Sequence, residues 1–198
     1  MKNHLSNLIL ASSSERRIAL LEQIKIKPAF ILSADIDESI NKKELPKDYS
    51  IRMARNKANK VYEAHSDYFV LSADTVVACG RRILPKTENI DQAEKCIRLL
   101  SGRRHRVYTS ICFITPEKRE HVKTNMTIIK LKRFSEQEIR YYLESKEWQN
   151  RAGGCNIQGL LGMFILFFRG SYSSAIGLPL HETYCLLNNY FKLFHNRE

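Results

Sequence analysis

Apolar residues along this chain recur with two periods, and the switches between them divide it into short elements. Residues 7–12, NLILAS, are an apolar run of strand length. Serines follow, and Ile18, Leu21 and Ile24 then return at helical spacing, so the first unit reads as strand, tight turn and helix. Ser12 and Glu15 match the S-x-x-E capping box, which sets the helix start between them. AFILSADIDES, residues 29–39, reads as a second strand that ends in acidic residues. Asp48 opens a helix with Ile51, Ala54, Ala58 and Val61 on one face and Arg52, Arg55, Lys57 and Lys60 on the other.

YFVLSADTVVAC, residues 68–79, is a β-branched strand, and Gly80 permits a hairpin into RRIL. Asp91 to Leu100 is helical, with Ile90, Ala93, Ile97 and Leu100 spaced for burial and Gly102 as a stop. HRVYTSICFIT and HVKTNMTIIKLKRF form two long antiparallel strands joined at PEKRE. Ser135 and Glu138 are a second capping box. Leu160 to Phe168, interrupted by Gly162, reads as a buried strand, and SSAIG as another. Pro179 sits at the first position of a last helix. Strands and helices mix without strict alternation, which predicts a mixed α/β domain rather than a doubly wound parallel sheet.

Composition narrows the classes. With 198 residues and 43% hydrophobic content, the chain can bury a sizeable core. No apolar stretch reaches membrane-spanning length, and the N-terminus lacks a clean cleavage site. Five cysteines without a CxxC pair predict free thiols in a reducing cytoplasm. The formal charge of +11, from 32 Lys and Arg against 21 Asp and Glu, favours polyanionic partners, although a merely solvated basic face has the same composition.

Four groups of residues could carry chemistry. Ser12, Ser13 and Ser14 with Arg16 and Arg17 lie at a helix N-terminus, where unpaired N–H groups and the dipole already form an anion site. Cations are mildly unfavourable at that end, so two arginines there suit a bound polyphosphate, or else simply point to water. Asp74, inside an apolar strand, is costly to bury unless paired or metal-bound, and with Asp35, Asp37 and Glu38 it could hold Mg²⁺ or Mn²⁺. Lys57 and Lys86 could contact phosphates, while GRRHRV reads as a solvated turn. In RAGGCNIQGLLG, glycines allow close backbone approach and Gln158 offers an amide to a base edge. Neither a GxxxxGK[ST] loop nor a GxGxxG loop is present.

In order, LASSSERR, DIDES, RNKA, ADTVV, ILPKT, LSGRRHRVYT, AGGCNIQG and GLPLHET resemble the successive motifs of the Maf family of nucleoside triphosphate pyrophosphatases, over nearly the whole chain. The resemblance implies one two-lobed domain across residues 1–198, with a long mixed sheet and a deep cleft, as in inosine-triphosphate pyrophosphatases. It implies divalent-metal-assisted hydrolysis of a nucleoside triphosphate to monophosphate and pyrophosphate, a role in excluding noncanonical nucleotides, and a link to cell-division arrest. By motif, Ser12, Arg16, Arg17, Lys57 and Lys86 are phosphate-binding, Asp74 is catalytic, and Glu38 and Asp74 hold the metal. Arg17, Thr75 and Gln158 match the subgroup that acts on dTTP and UTP. The chain departs from the family pattern at Glu15 and Thr87, where prolines are usual, at Asn150 and Arg151 in place of Asp-Lys, and at Cys155 and Asn156 in place of Tyr-Gly. A homodimer is left open, and no membrane partner is expected. The competing expectation is a basic module that binds nucleic acid or a division protein with little catalysis; the absence of a nucleic-acid-binding motif counts against it.

Overall fold

The computed structural model describes residues 3–193. Its seven-stranded mixed sheet is built from β1 (Asn3–Ala11), β2 (Ile26–Ile31), β3 (Phe69–Cys79), β4 (Arg82–Leu84), β5 (Arg104–Ile114), β6 (Glu120–Leu131) and β7 (Ile165–Arg169). The order is β2-β1-β3-β5-β6-β7, with β4 added beside β3. β1 runs parallel to β2 and β3, and the other pairings are antiparallel. The helices are α1 (Glu15–Gln23), α2 (Pro46–Ala64), α3 (Ile90–Leu100), α4 (Glu136–Glu144), α5 (Tyr172–Ile176) and α6 (Leu180–Phe191).

The pairing of β3 creates the cleft. One edge is continuously paired with β5 from Val70 to Ala78. The other edge is shared: β1 takes Phe69 to Ser72, and β4 takes Val77 to Cys79. Among the described residues, Ala73, Asp74, Thr75 and Val76 therefore have no strand neighbour on that side, and the sheet forks there. β1 ends at the same level, with Ala11 opposite Ser72, and the chain turns away through Ser12–Ser14 into α1. Three apolar clusters flank the fork. One packs β1, α1 and α6 with the start of β3. Another packs α3, α4 and the turn Leu160–Phe164 against the far ends of β5 and β6. The third seats α2 on the opposite face through Ala54, Ala58 and Val61.

Several local expectations need correction. The N-cap of α1 is Ser14, so Ser12 and Glu15 form no capping box; Ser12 lies two residues upstream. α2 begins at Pro46, which suits a first-turn position, rather than at Asp48. β2 stops at Ile31, and the acidic residues follow in a loop. Ile90 is exposed. Leu160–Phe168 is a 3₁₀ turn followed by the edge strand β7, whose Leu166 and Phe167 are exposed, and SSAIG lies in and after α5. Ser171 caps α5 by accepting from the Ser174 N–H, and Gly177 at φ 145° ends it, so turn chemistry decides a segment too short for periodicity to resolve. The Ser135–Glu138 capping box forms as expected.

Candidate active site

A cleft of about 640 Å³ opens at the fork, within the size range of small-molecule sites. Ser12, Arg16, Arg17, Glu38, Lys57, Asp74, Thr75 and Lys86, separated by up to most of a hundred positions in the chain, all line it.

Its floor is an alternating chain of charges. Asp74 on β3 is 5% exposed, and its Oδ1 accepts from Lys57 Nζ at 2.6 Å. The same ammonium lies 2.7 Å from Glu38 Oε1, and Glu38 Oε2 accepts from Lys86 Nζ at 2.7 Å. Burial would raise the Glu38 carboxyl, but hydrogen bonds and charge from the two lysines outweigh it and hold it down at about 2. Lys57 does not stand on the solvent side of α2 with Arg52 and Arg55. It falls on the buried stripe with Ala54, Ala58 and Val61 and is 8% exposed.

Glu38 owes its place to α2. Tyr49 donates to the Glu38 carbonyl at 2.7 Å, and Arg52 donates to the Ser39 carbonyl at 2.8 Å while a carboxylate fork from Glu44 holds its guanidinium. Burial raises the Tyr49 hydroxyl to about 12, and the negative charges of Asp74 and Glu38 push the same way. Asp37 is not part of the site; its carboxylate accepts from the Ser39 N–H and hydroxyl. Asp35 is exposed and also outside the cavity lining. Tyr49 and Arg52 carry no motif in the sequence because their work is to fix the backbone of the loop that precedes α2, 11 and 13 positions upstream.

The two arginines that open α1 differ in situation. Arg17 Nε donates to the Gly177 carbonyl at 3.0 Å, Nη1 to Ser12 Oγ at 2.9 Å, and Nη2 to Thr75 Oγ1 at 3.4 Å. It thus ties α1, β3 and the α5–α6 turn together, with two N–H groups left over. Burial pulls its guanidinium below the ordinary range, while the charges of Asp74 and Glu38 oppose that shift. Thr75 Oγ1 also lies 3.1 Å from the Thr109 hydroxyl, which is 2.7 Å from the Ser174 carbonyl. Arg16 enters no described ion pair. Burial, then the charges of Arg151 and Arg17, lower its guanidinium to about 10.

Gln158 is not brought into the main cleft. It is exposed and lines an adjoining groove of about 390 Å³ with Gln23, Tyr172 and Ser173; Glu15, Arg16 and Ile176 border both spaces. Its loop is anchored from the end of α4: Glu147 Oε2 accepts from Leu160 N–H at 2.8 Å and from Asn156 Nδ2 at 3.0 Å. Among the described residues no group of three or more His, Cys, Asp or Glu side chains is arranged to hold a metal. Asp74 and Glu38, sharing one ammonium, are the two hard-oxygen donors at the cleft floor.

Known proteins share this sequence and this fold. A chain from Wolbachia pipientis of Culex pipiens (strain wPip), named dTTP/UTP pyrophosphatase, is 70% identical over 98% of this chain and 100% of its own length. One from Ehrlichia canis (strain Jake), named nucleoside triphosphate pyrophosphatase, is 58% identical over 94% of this chain and 97% of its own. The fold is shared with a HAM1 protein from Coxiella burnetii, at a TM-score of 0.50 and 15% identity, covering 92% of this chain and 98% of that one. The family model described as Maf-like protein matches residues 7–190, and the chain belongs to that family.

Proposed function

We propose that this protein hydrolyses nucleoside triphosphates, dTTP and UTP foremost, to the monophosphate and pyrophosphate. The observation that carries the reading is the Asp74–Lys57–Glu38–Lys86 chain on the floor of a cleft whose wall holds Arg16, which enters no ion pair among the described residues. A buried carboxylate with one oxygen fixed by Lys57 is placed to orient a water and take its proton. Asp74 Oδ1 is committed to that lysine, and Oδ2 is left for the water attacking the α-phosphorus. Arg16, Lys57 and Lys86 stabilise the charge that develops on the departing pyrophosphate. Positioning and electrostatics carry the reaction, without a covalent intermediate.

Two carboxylates open to a substrate-sized cavity suit Mg²⁺ or Mn²⁺, which bind through one or two carboxylates and complete their shell with substrate oxygens and water. Glu38 and Asp74 would hold the ion. When bound, it polarises a phosphoryl oxygen and offsets charge.

The preference for dTTP and UTP draws on the names of the 70% identical relatives and on Arg17, Thr75 and Gln158. Gln158 presents one donor group and one acceptor, a match for the O4/N3–H edge of a pyrimidine lying past Arg16 in the adjoining groove. The cytoplasm is the compartment proposed, since the five cysteines are free thiols and no described helix is long and apolar enough to cross a membrane.

Product chromatography with a panel of nucleoside triphosphates tests the reading. Pyrophosphate and monophosphate should form together, with dTTP and UTP showing the highest kcat/KM. Gln158→Ala should reduce that selectivity severalfold, up to about tenfold, the value of one hydrogen-bonded pair on an exposed side chain. Diphosphate and orthophosphate as primary products would refute the proposed bond cleavage.

A further inference from the structure

Arg151 stands in the cleft wall, and its guanidinium enters no ion pair among the described residues. The ion pairs of the described residues engage Arg52, Arg55, Lys57, Lys86, Arg98 and Lys132; Arg151 and Arg16 are in none of them. Both line the same cavity. After burial, the charge of Arg151 is the next largest influence lowering the Arg16 guanidinium. Two cationic residues on the lining of one partly buried cavity repel each other, and an anion bound in that cavity relieves the repulsion.

Thr87 fixes this arrangement. It is fully buried; its N–H donates to the Arg151 carbonyl at 3.1 Å, and its hydroxyl lies 2.5 Å from the Trp148 carbonyl and 3.2 Å from that of Arg151. The Asn150 N–H returns to the Thr87 carbonyl at 2.9 Å, the Gly153 N–H to Pro85 at 2.8 Å, and Lys86 bridges Ala152. The segment bearing Lys86 and the segment bearing Arg151 are thus stitched into one wall. A proline at position 87 would supply neither the N–H nor the hydroxyl.

We infer that Arg151, positioned by Thr87, completes with Arg16 a subsite for the pyrophosphate half of the substrate. The inference rests on the nucleotide pyrophosphatase reading above. Charge selects the half. The α-phosphate is esterified and bridging and carries a single negative charge, whereas the terminal group carries more charge and offers three oxygens to a guanidinium fork. Two cations outside the ion pairs of the described residues call for the more highly charged end.

The test measures binding of inorganic pyrophosphate and of dTMP by calorimetry, with KM and kcat for dTTP, on the full chain. Arg151→Ala should weaken pyrophosphate binding about tenfold or more and raise KM by a similar factor, with a smaller change in kcat and in dTMP binding. Arg151→Lys should recover only part, because it keeps the charge and loses the fork. Thr87→Val should move in the same direction as Arg151→Ala, and Thr87→Ser should restore wild-type binding; circular dichroism checks that each variant is folded. Unchanged pyrophosphate affinity in Arg151→Ala, or a loss confined to dTMP, overturns the subsite. Unchanged affinity in a folded Thr87→Val overturns the positioning role. A wild type that releases no pyrophosphate from any nucleoside triphosphate removes the enzymatic reading instead, so the two failures are distinguishable.

Discussion

Asp74 can occupy the interior of β3 because the Lys57 ammonium is 2.6 Å away. The two residues should respond differently to substitution. Asp74→Asn keeps the shape and leaves Lys57 paired with Glu38, so the fold should persist while turnover falls by about 10²-fold or more. Lys57→Met leaves a buried carboxylate uncompensated and should cost about 3–5 kcal/mol of stability as well as activity. Urea unfolding beside steady-state kinetics separates the two; an Asp74→Asn protein with near-normal turnover would show that the catalytic assignment is wrong. Glu38 gives a pH prediction. Its carboxyl falls from an ordinary value of 4.5 to about 2 on folding because of Lys57 and Lys86, against the effect of burial. A depressed carboxyl contributes stability that is complete above the unfolded value and is lost as pH falls through the folded one. The loss therefore belongs between pH 4.5 and about 2, and solvent screening of this half-exposed group makes it modest. Glu38→Gln should flatten the acid limb of the stability profile in that window, measured by thermal unfolding.

At the scale of elements, what could be read in the sequence depended on whether an element's own residues decide it. β3, β5, β6, α3 and α4 follow from their patterns because strand alternation and helical spacing are local. The fork in β3 does not, since it arises from which strands pair with Phe69–Ser72 and with Val77–Cys79. Lys57 was legible in principle: with Ala54, Ala58 and Val61 it completes the i, i+3, i+4, i+7 stripe, yet charge alone would send it to water. The residues named from motif order, Ser12, Arg16, Arg17, Glu38, Lys57, Asp74, Thr75 and Lys86, line one cleft, whereas Tyr49, Arg52 and Glu147 act by holding loops 9 to 13 positions away and carry no motif of their own. The Gln158 loop supplies a prediction at this scale. A Cβ on Gly159 would lie 1.8 Å from Glu147 Oε2, the atom that anchors Leu160 and Asn156. Gly159→Ala should destabilise the protein by about 1–3 kcal/mol through overpacking. Adding Glu147→Ala should recover part of that loss, because the clash goes with the carboxylate. Thermal denaturation of the two single variants and the double variant gives the coupling; additive losses would mean that the loop yields elsewhere.

For the molecule as a whole, the fork and the charge act on the same ligand. The mixed sheet brings the end of β1, the unpaired centre of β3 and the loop before α2 to one opening, and apolar clusters on either side hold the walls. Arg16, Arg17, Lys57, Lys86 and Arg151 line that opening against Glu15, Glu38 and Asp74, so the cleft shares the positive sign of a chain with formal charge +11. A low-dielectric cleft of one sign focuses the field and speeds capture of an oppositely charged ligand. Salt should then separate capture from chemistry. Raising ionic strength from about 10 mM to about 150 mM shortens the Debye length from about 30 Å to about 8 Å, which screens the approach of a nucleoside triphosphate while leaving contacts inside the cleft largely intact. We expect kcat/KM for dTTP to fall severalfold over that range and kcat to change little, with added Mg²⁺ kept at one fixed concentration and chloride as the added anion. Repeating the series with a neutral viscogen in place of salt distinguishes screening from slowed diffusion. A kcat/KM that stays level with salt would mean that the basic surplus is a solvated face with no part in substrate capture; a fall in kcat equal to that in kcat/KM would place the sensitivity in the lysine and arginine contacts of the bound state.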